Sequence, residues 1–469
     1  MSLAVTNRIL SSAAKHMKRR EKFLACDNHT LSQYDVSTLV QHCRKFSQRT
    51  IESLLLASLF TGRHVKTFCA PNTRTQMIED TEYGLLLSNI VFPVWRKGSA
   101  DDPFKSEPAL PPYALLPMHQ IKSIEVVAGM SEAELIMQSE DVLREINKAY
   151  GTRLTPTRIK GYIRVKAQAC ALTQAETNWI SDTPLQQHGG SSYLSMFGSE
   201  LIKKHYIYIN FLMETAQCQL YQIDKILFLP FAQRRIGSNF NVSIGKVRES
   251  FFELRKIFAK EQNTGNLDRW LLFNSYTYFT VLILDMTTGH RPKRAMYGEL
   301  SNFDLSRRVL LIKDKDNRVE SARIVPLTSK AVTQLNYYLA FLKRFSKHLR
   351  FIHPEEYLVL EEALLGRSSL FKLWVRGKLK SFATGYLSEV DIPRIDAKNN
   401  WHRHWIRSRL ALHPELNPAA IDAFMGHENL LDESFSAFSS LETLELRMVA
   451  DALCIELEKI SISPVELLL

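Results

Sequence analysis

The run Leu54-Leu55-Leu56-Ala57-Ser58-Leu59-Phe60-Thr61-Gly62-Arg63 is echoed by Val281 to Arg291, another apolar segment that ends in Thr-Gly and then reaches an arginine. The echo continues downstream. Arg158 precedes Asp182 by twenty-four residues, as Arg403 precedes His427, and Asp182 precedes Tyr193 by eleven, as His427 precedes Phe438. A repeated spacing constrains a fold more than local propensity does, because each copy must build the same supersecondary unit. The expected architecture has a first part, ~200 residues long, that is a degenerate copy of the last part. Identity outside these points is poor, so chance likeness between generic helical segments is the competing explanation.

Length and charge set further bounds. At 469 residues the chain exceeds one ordinary core, so two or three domains are expected. A net charge of +11 favours a polyanionic partner, since each phosphate contact releases counterions. An anionic membrane surface fits that charge equally well. The six cysteines (Cys26, Cys43, Cys69, Cys170, Cys218 and Cys454) form no C-x-x-C pair. That argues against a zinc knuckle or a disulfide framework and for a reducing compartment. No segment holds eighteen uninterrupted apolar residues, and Met1 to Arg20 lacks a long apolar core with a cleavage site. The chain is expected to be cytoplasmic, with no membrane partner.

Periodicity predicts helix from Ser32 to Phe60, strand from Tyr83 to Trp95, and loop over the proline-rich Gly98 to Pro117. Helices are predicted over Ser131 to Tyr150 and Pro156 to about Ile180, with a flexible break at Gly189-Gly190-Ser191-Ser192. Gly198 to Gln262 reads as all-helical, and Asp268 to Met286 as a long apolar helix. A three-stranded element follows, with strands at Val309 to Ile312 and Ala322 to Leu327 around the charged turn Lys313 to Arg318. From Ser329 onward the pattern is helical, with loops near Pro354, Pro393 and Pro414. The fold class is mainly α with small β-sheets (α+β).

Four landmarks occur in a telling order: Thr288-Gly289-His290-Arg291, Arg323-Ile324-Val325-Pro326-Leu327, Arg403-His404, and Gly426-His427 with Phe438 beyond it. Together they resemble the catalytic domain of the tyrosine recombinases, the phage-integrase family. The resemblance covers roughly the last 200 residues. It implies that Arg291 and Arg403 neutralise a scissile phosphate, a task suited to a planar fork that never loses its proton. His427 matches a phosphate hydrogen-bond donor, and His404 a residue beside the second arginine. Lys315, in the charged turn, matches the family's general acid, with Lys313 as its rival. Asn400 stands where the family usually has a histidine; it can donate a hydrogen bond but cannot shuttle a proton.

The nucleophile is where the chain departs from the family. No tyrosine follows Tyr386, and Phe438 occupies the expected place. A shorter family spacing selects Ser436 instead, although no base to activate it is evident. Phenylalanine keeps the ring and loses the attacking hydroxyl, so natural loss and deliberate substitution both remain open. The resemblance also implies three domains: an N-terminal domain over 1–196, a helical DNA-clamping domain over 197–265, and a catalytic domain over 266–469. The clamp would contact phosphates through Lys203, Lys204, Lys225, Arg234, Arg235, Lys246, Arg248 and Lys256. The family assembles up to a tetramer on double-stranded DNA, some members with helper proteins, and uses no metal or nucleotide cofactor. The implied activity is cutting and rejoining DNA through a 3′-phosphotyrosyl bond, in the cytoplasm at the nucleoid. The alternative is an accessory or architectural DNA-binding protein that kept the clamp and lost cleavage.

Overall fold

A computed structural model describes residues 30–93, 109–170, 172–185, 189–264, 268–291, 296–313, 322–397, 400–426 and 443–467. The chain is mostly helical with small antiparallel sheets. It divides into two compact units, 1–93 with 108–238, and 94–107 with 239–469. Residues 197–265, expected to form a clamp of their own, are shared between them: 197–238 belong to the first unit and 239–265 to the second.

In the first unit, helix α1 (Gln33–Lys45) starts at a reciprocal cap between Ser32 and Asp35. Helix α2 (Thr50–Thr61) is buried from Glu52 onward, as a helix apolar on every side must be. The single helix expected from Ser32 to Phe60 is thus two, separated at Phe46 to Arg49. Strands β1 (Thr75–Met77), β2 (Tyr83–Leu87) and β3 (Tyr113–Pro117) form an antiparallel sheet in that order. The expected strand therefore stops at Leu87, and the far end of the expected loop is strand β3. Helices α3 (Met118–Val126), α4 (Glu132–Tyr150), α5 (Pro156–Lys166), α6 (Gln174–Ile180) and α7 (Gly198–Thr215) complete the helical layer. The helix expected from Pro156 to Ile180 breaks because Thr173 caps a new one, with Glu176 answering at its third position. Strands β4 (Ser195–Phe197) and β5 (Arg235–Gly237) pair beside α7. The helical reading of Gly198 to Gln262 fails after Thr215, where Pro230 and Gly237 fall among extended and turn residues.

The end of α2 is held by side chains from α7. Tyr208 Oη donates to Leu59 O at 2.9 Å, and His205 Nε2 meets Phe60 O at 2.8 Å. The chain then leaves through Gly62 at φ 68°, which seats against α5.

The second unit is organised around α9 (Arg269–Thr288), buried from Leu272 to its end. Several of its threonine hydroxyls bond back inside the helix, Thr280 to Tyr276 O at 3.0 Å and Thr288 to Leu284 O at 2.7 Å among them. Helix α8 (Ile244–Thr264) packs along it. The sheet β6 (Phe303–Asp304), β7 (Val309–Lys313) and β8 (Ala322–Pro326) is antiparallel, Val309 facing Pro326 and Lys313 facing Ala322. Helices α10 (Ser329–Leu349) and α11 (Pro354–Leu364) follow, then α12 (Trp401–Leu410), α13 (Pro418–Met425) and α14 (Thr443–Lys459). An unexpected hairpin, β9 (Lys372–Val375) and β10 (Lys378–Ser381), interrupts this helical region. Its two turn residues, Arg376 at φ 53° and Gly377 at φ 76°, meet the demand of a tight hairpin for left-handed backbone. Asn274 of α9 pins the hairpin, accepting from Trp374 N at 2.7 Å and donating to Trp374 O at 3.0 Å.

The two units share an order of elements. In each, a buried helix ends on a left-handed glycine, then come three antiparallel strands, two helices, a further helix, a short helix ending near a left-handed residue, and a long helix; the second unit adds the β9–β10 hairpin and the first adds β4 within this order.

Substituting the glycine that ends α2 tests how tightly it is seated. A Cβ at Gly62 would lie 2.4 Å from Ile163 Cγ2, whereas at Gly151, with nearly the same φ of 67°, it meets nothing within 4 Å. Gly151→Ala should lose about 1 kcal/mol for the left-handed backbone alone, and Gly62→Ala about 1–3 kcal/mol more from overpacking. Urea denaturation of the two variants checks the difference; equal losses would contradict it.

Candidate functional site

Two helices of the second unit end at one place. Helix α9 stops at Gly289, whose N–H reaches Asp285 O at 3.1 Å with φ 59°. Helix α13 stops at Gly426 with φ 63°. Helix C-termini present carbonyls without helical partners and the negative end of the helix dipole. Two arginines answer this need. Arg403 of α12 donates from Nη1 to Gly289 O and from Nη2 to Met425 O, the latter at 2.7 Å. Arg323 of β8 donates from Nε to Phe424 O at 3.1 Å and from Nη2 to Gly289 O at 3.4 Å. His402 Nε2 meets His290 O at 2.6 Å. A Cβ on Gly289 would come within 3.0 Å of Met425 Sδ, so the two helix ends approach as closely as a glycine allows.

The segments Gly289-His290, His402-Arg403 and Phe424-Met425 are therefore gathered. Their roles are divided. Arg403 is fully buried and grips main-chain carbonyls. His404 is also buried, its ring packed edge-to-face on Phe240 with centroids 5.2 Å apart. Arg291 is half-buried where the chain emerges from this knot. Asn400 precedes α12, its Oδ1 buried without a hydrogen-bond partner. Lys315, His427, Ser436 and Phe438 lie outside the described residues, as does the side chain of Lys313.

The surroundings are held by ion pairs. Arg407 of α12 meets Asp422 of α13 at 3.0 Å, both buried. Glu456 of α14 is fully buried among Lys459 at 2.6 Å, His413 at 3.0 Å and Arg409. Burial raises its affinity for a proton, but the bonds from Lys459 and Arg409 more than offset this, so its carboxyl lies below the usual range.

The expected clamp residues are divided between the two units. Lys203, Lys204, Arg234 and Arg235 belong to the first unit, and Lys246 and Arg248 to α8 of the second. Lys204 is committed to the buried carboxylate of Glu176 at 2.7 Å, and Lys203 pairs with Glu200 at 3.1 Å. The Arg235 guanidinium lies over the Phe197 ring at 5.3 Å. Arg234 and Arg248 are exposed, and Lys246 is half-buried.

The bridging role of Arg323 went unread in the sequence, although a signal for it exists. On β8, Arg323 and Val325 are buried while Ala322 and Ile324 are exposed, so the period of two places Arg323 on the inward face. Comparison with protein-family models, curated proteins and solved structures gave no match. Among the described residues, no helix is long and apolar enough to cross a membrane.

A pH signature sits one turn before Gly289. Asp285 accepts from Tyr297 Oη at 2.6 Å, and burial pushes its carboxyl up to about 8, with the tyrosine pulling the other way. Between the ordinary value of 3.8 and about 8, the folded chain thus holds a proton that the unfolded chain has lost. Stability from this group falls as pH rises through that window and levels off above it. Asp285→Asn keeps an acceptor for Tyr297 without the titration. Unfolding midpoints at about pH 5 and pH 8.5 should show the wild type losing ground to the variant; parallel pH profiles would contradict the assignment.

Proposed function

We propose that this chain is a DNA-recombination protein of the tyrosine-recombinase, or integrase, type, whose second unit engages a backbone phosphate of duplex DNA. The observation that supports the reading is the gathering of three distant segments, Gly289 to Arg291, His402-Arg403 and Phe424 to Gly426, at the ends of two helices. In this reading Arg403 is the internal strut and Arg291 the cation offered to the non-bridging oxygens, where a guanidinium in a dry site stabilises developing charge. His427, directly after Gly426, adds a donor. In a cleaving form with tyrosine at 438, its hydroxyl oxygen would bond to phosphorus while Lys315 delivers a proton to the departing 5′-oxygen. Residues 1–196 then stand as a degenerate copy of that core.

As written, the chain binds and does not cleave, because Phe438 lacks the hydroxyl that would form the 3′-phosphotyrosyl bond. The accessory or architectural reading gains weight from the full burial of Arg403, whose terminal nitrogens already serve main-chain carbonyls. Both readings place the protein on double-stranded DNA, as a homo-oligomer of up to four chains with or without helper proteins, at the nucleoid.

The two readings separate on one variant. Phe438→Tyr, incubated with a nicked suicide substrate carrying the cognate site, should accumulate a covalent protein–DNA adduct resolved by denaturing electrophoresis. Tight, site-specific binding without an adduct would transfer the proposal to the accessory reading. Loss of duplex binding altogether would end both.

A further inference from the structure

The first unit holds a cavity of about 320 Å³ where the chain leaves α2. Its lining includes Arg63, His64, Lys66, Lys160, Arg164 and Asp182. Four of these are lysines or arginines, and Asp182 is the facing carboxylate.

Arg63 is only 5% exposed. Its Nε donates to Ile180 O at 3.0 Å and its Nη1 to Leu87 O at 3.0 Å, while Nη2 is buried with no hydrogen-bond partner. A buried guanidinium nitrogen without an acceptor costs free energy until something accepts from it. Asp182 does little to relieve it. The nearest approach, Arg63 Nη1 to Asp182 Oδ2, is 4.0 Å. The carboxylate is already occupied by Ser88 Oγ at 2.5 Å, Asn89 N at 2.8 Å and Asn89 Nδ2 at 2.9 Å.

The remaining cations crowd one another. Lys160 has no carboxylate partner among the described residues, and its ammonium is held below the usual lysine range by burial and by repulsion from Arg164 and Lys66. Burial, Lys160 and Lys66 likewise push the His64 imidazole down, which favours its neutral form. Lys66 is paired with exposed Glu132 at 3.4 Å, and Arg164 donates to Thr183 Oγ1 at 3.0 Å. A cleft of like charges with a buried, unpartnered guanidinium nitrogen at its wall favours an anion.

We infer that this cavity is a binding site for a phosphate group, held by Arg63, Lys160 and Arg164. A phosphate supplies an acceptor oxygen to Arg63 Nη2, and its charge offsets the repulsion of Lys160 by Arg164 and Lys66. The group can reach the cavity as a nucleic-acid backbone phosphate or as free phosphate; the chemistry is the same. The site lies in the first unit and does not depend on how the second unit acts.

The test uses the full chain, with Lys160→Ala/Arg164→Ala as the main variant because neither side chain is fully buried, and Arg63→Met as a second. Inorganic phosphate is titrated by calorimetry, and a short fluorescent duplex by anisotropy. The double variant should bind at least about tenfold more weakly than the wild type to one or both probes, with an unfolding midpoint close to wild type. Loss for both probes identifies the backbone as the source, and loss for inorganic phosphate alone identifies the free anion. Either supports the site. A wild type that binds neither probe, or a folded double variant indistinguishable from it on both, overturns the site. That result leaves the Phe438→Tyr adduct experiment untouched.

Discussion

One guanidinium, that of Arg403, connects the ends of two helices that are far apart in sequence. Its nitrogens reach Gly289 O and Met425 O, and Arg323 repeats the connection from the neighbouring strand. Two helix C-termini brought together would otherwise oppose like partial charges and leave carbonyls without donors. A buried cation between them answers both problems, and a planar fork does so where a lysine's point charge would not. The position of the chain at Arg291 follows from that knot.

The first unit solves a related problem with different residues. The carbonyls at the end of α2 are taken by Tyr208 and His205 of α7, and its arginine, Arg63, turns to Ile180 and Leu87 instead. The two units therefore share an order of elements and a left-handed glycine at the end of the central helix, but not the side chains that secure it.

Much of the scaffold was legible where one physical rule dominated. The all-apolar runs at Leu54 to Phe60 and through α9 had to be buried helices, and the Thr-Gly steps that end them had to be left-handed turns. The strand pair on either side of Lys313 to Arg318 was legible from two apolar runs flanking a charged turn. Capping at Thr173 and the Arg376-Gly377 turn were missed, since each is a local signal inside a longer helical pattern. The division of labour between Arg291 and Arg403 was not legible at all. Both are arginines beside histidines, and only tertiary packing decides which one faces inward. The same holds for Lys204, whose charge suggested a DNA contact until the buried Glu176 beside it was known.

Hydrogen–deuterium exchange on Arg403→Lys probes the knot most directly, because lysine keeps the charge and loses the fork. The account predicts that protection falls together at residues 286–291 and at 424–426, two segments joined through a third, while α10 stays protected. Unchanged exchange at either segment, with the other loosened alone, would mean that Arg403 does not join them.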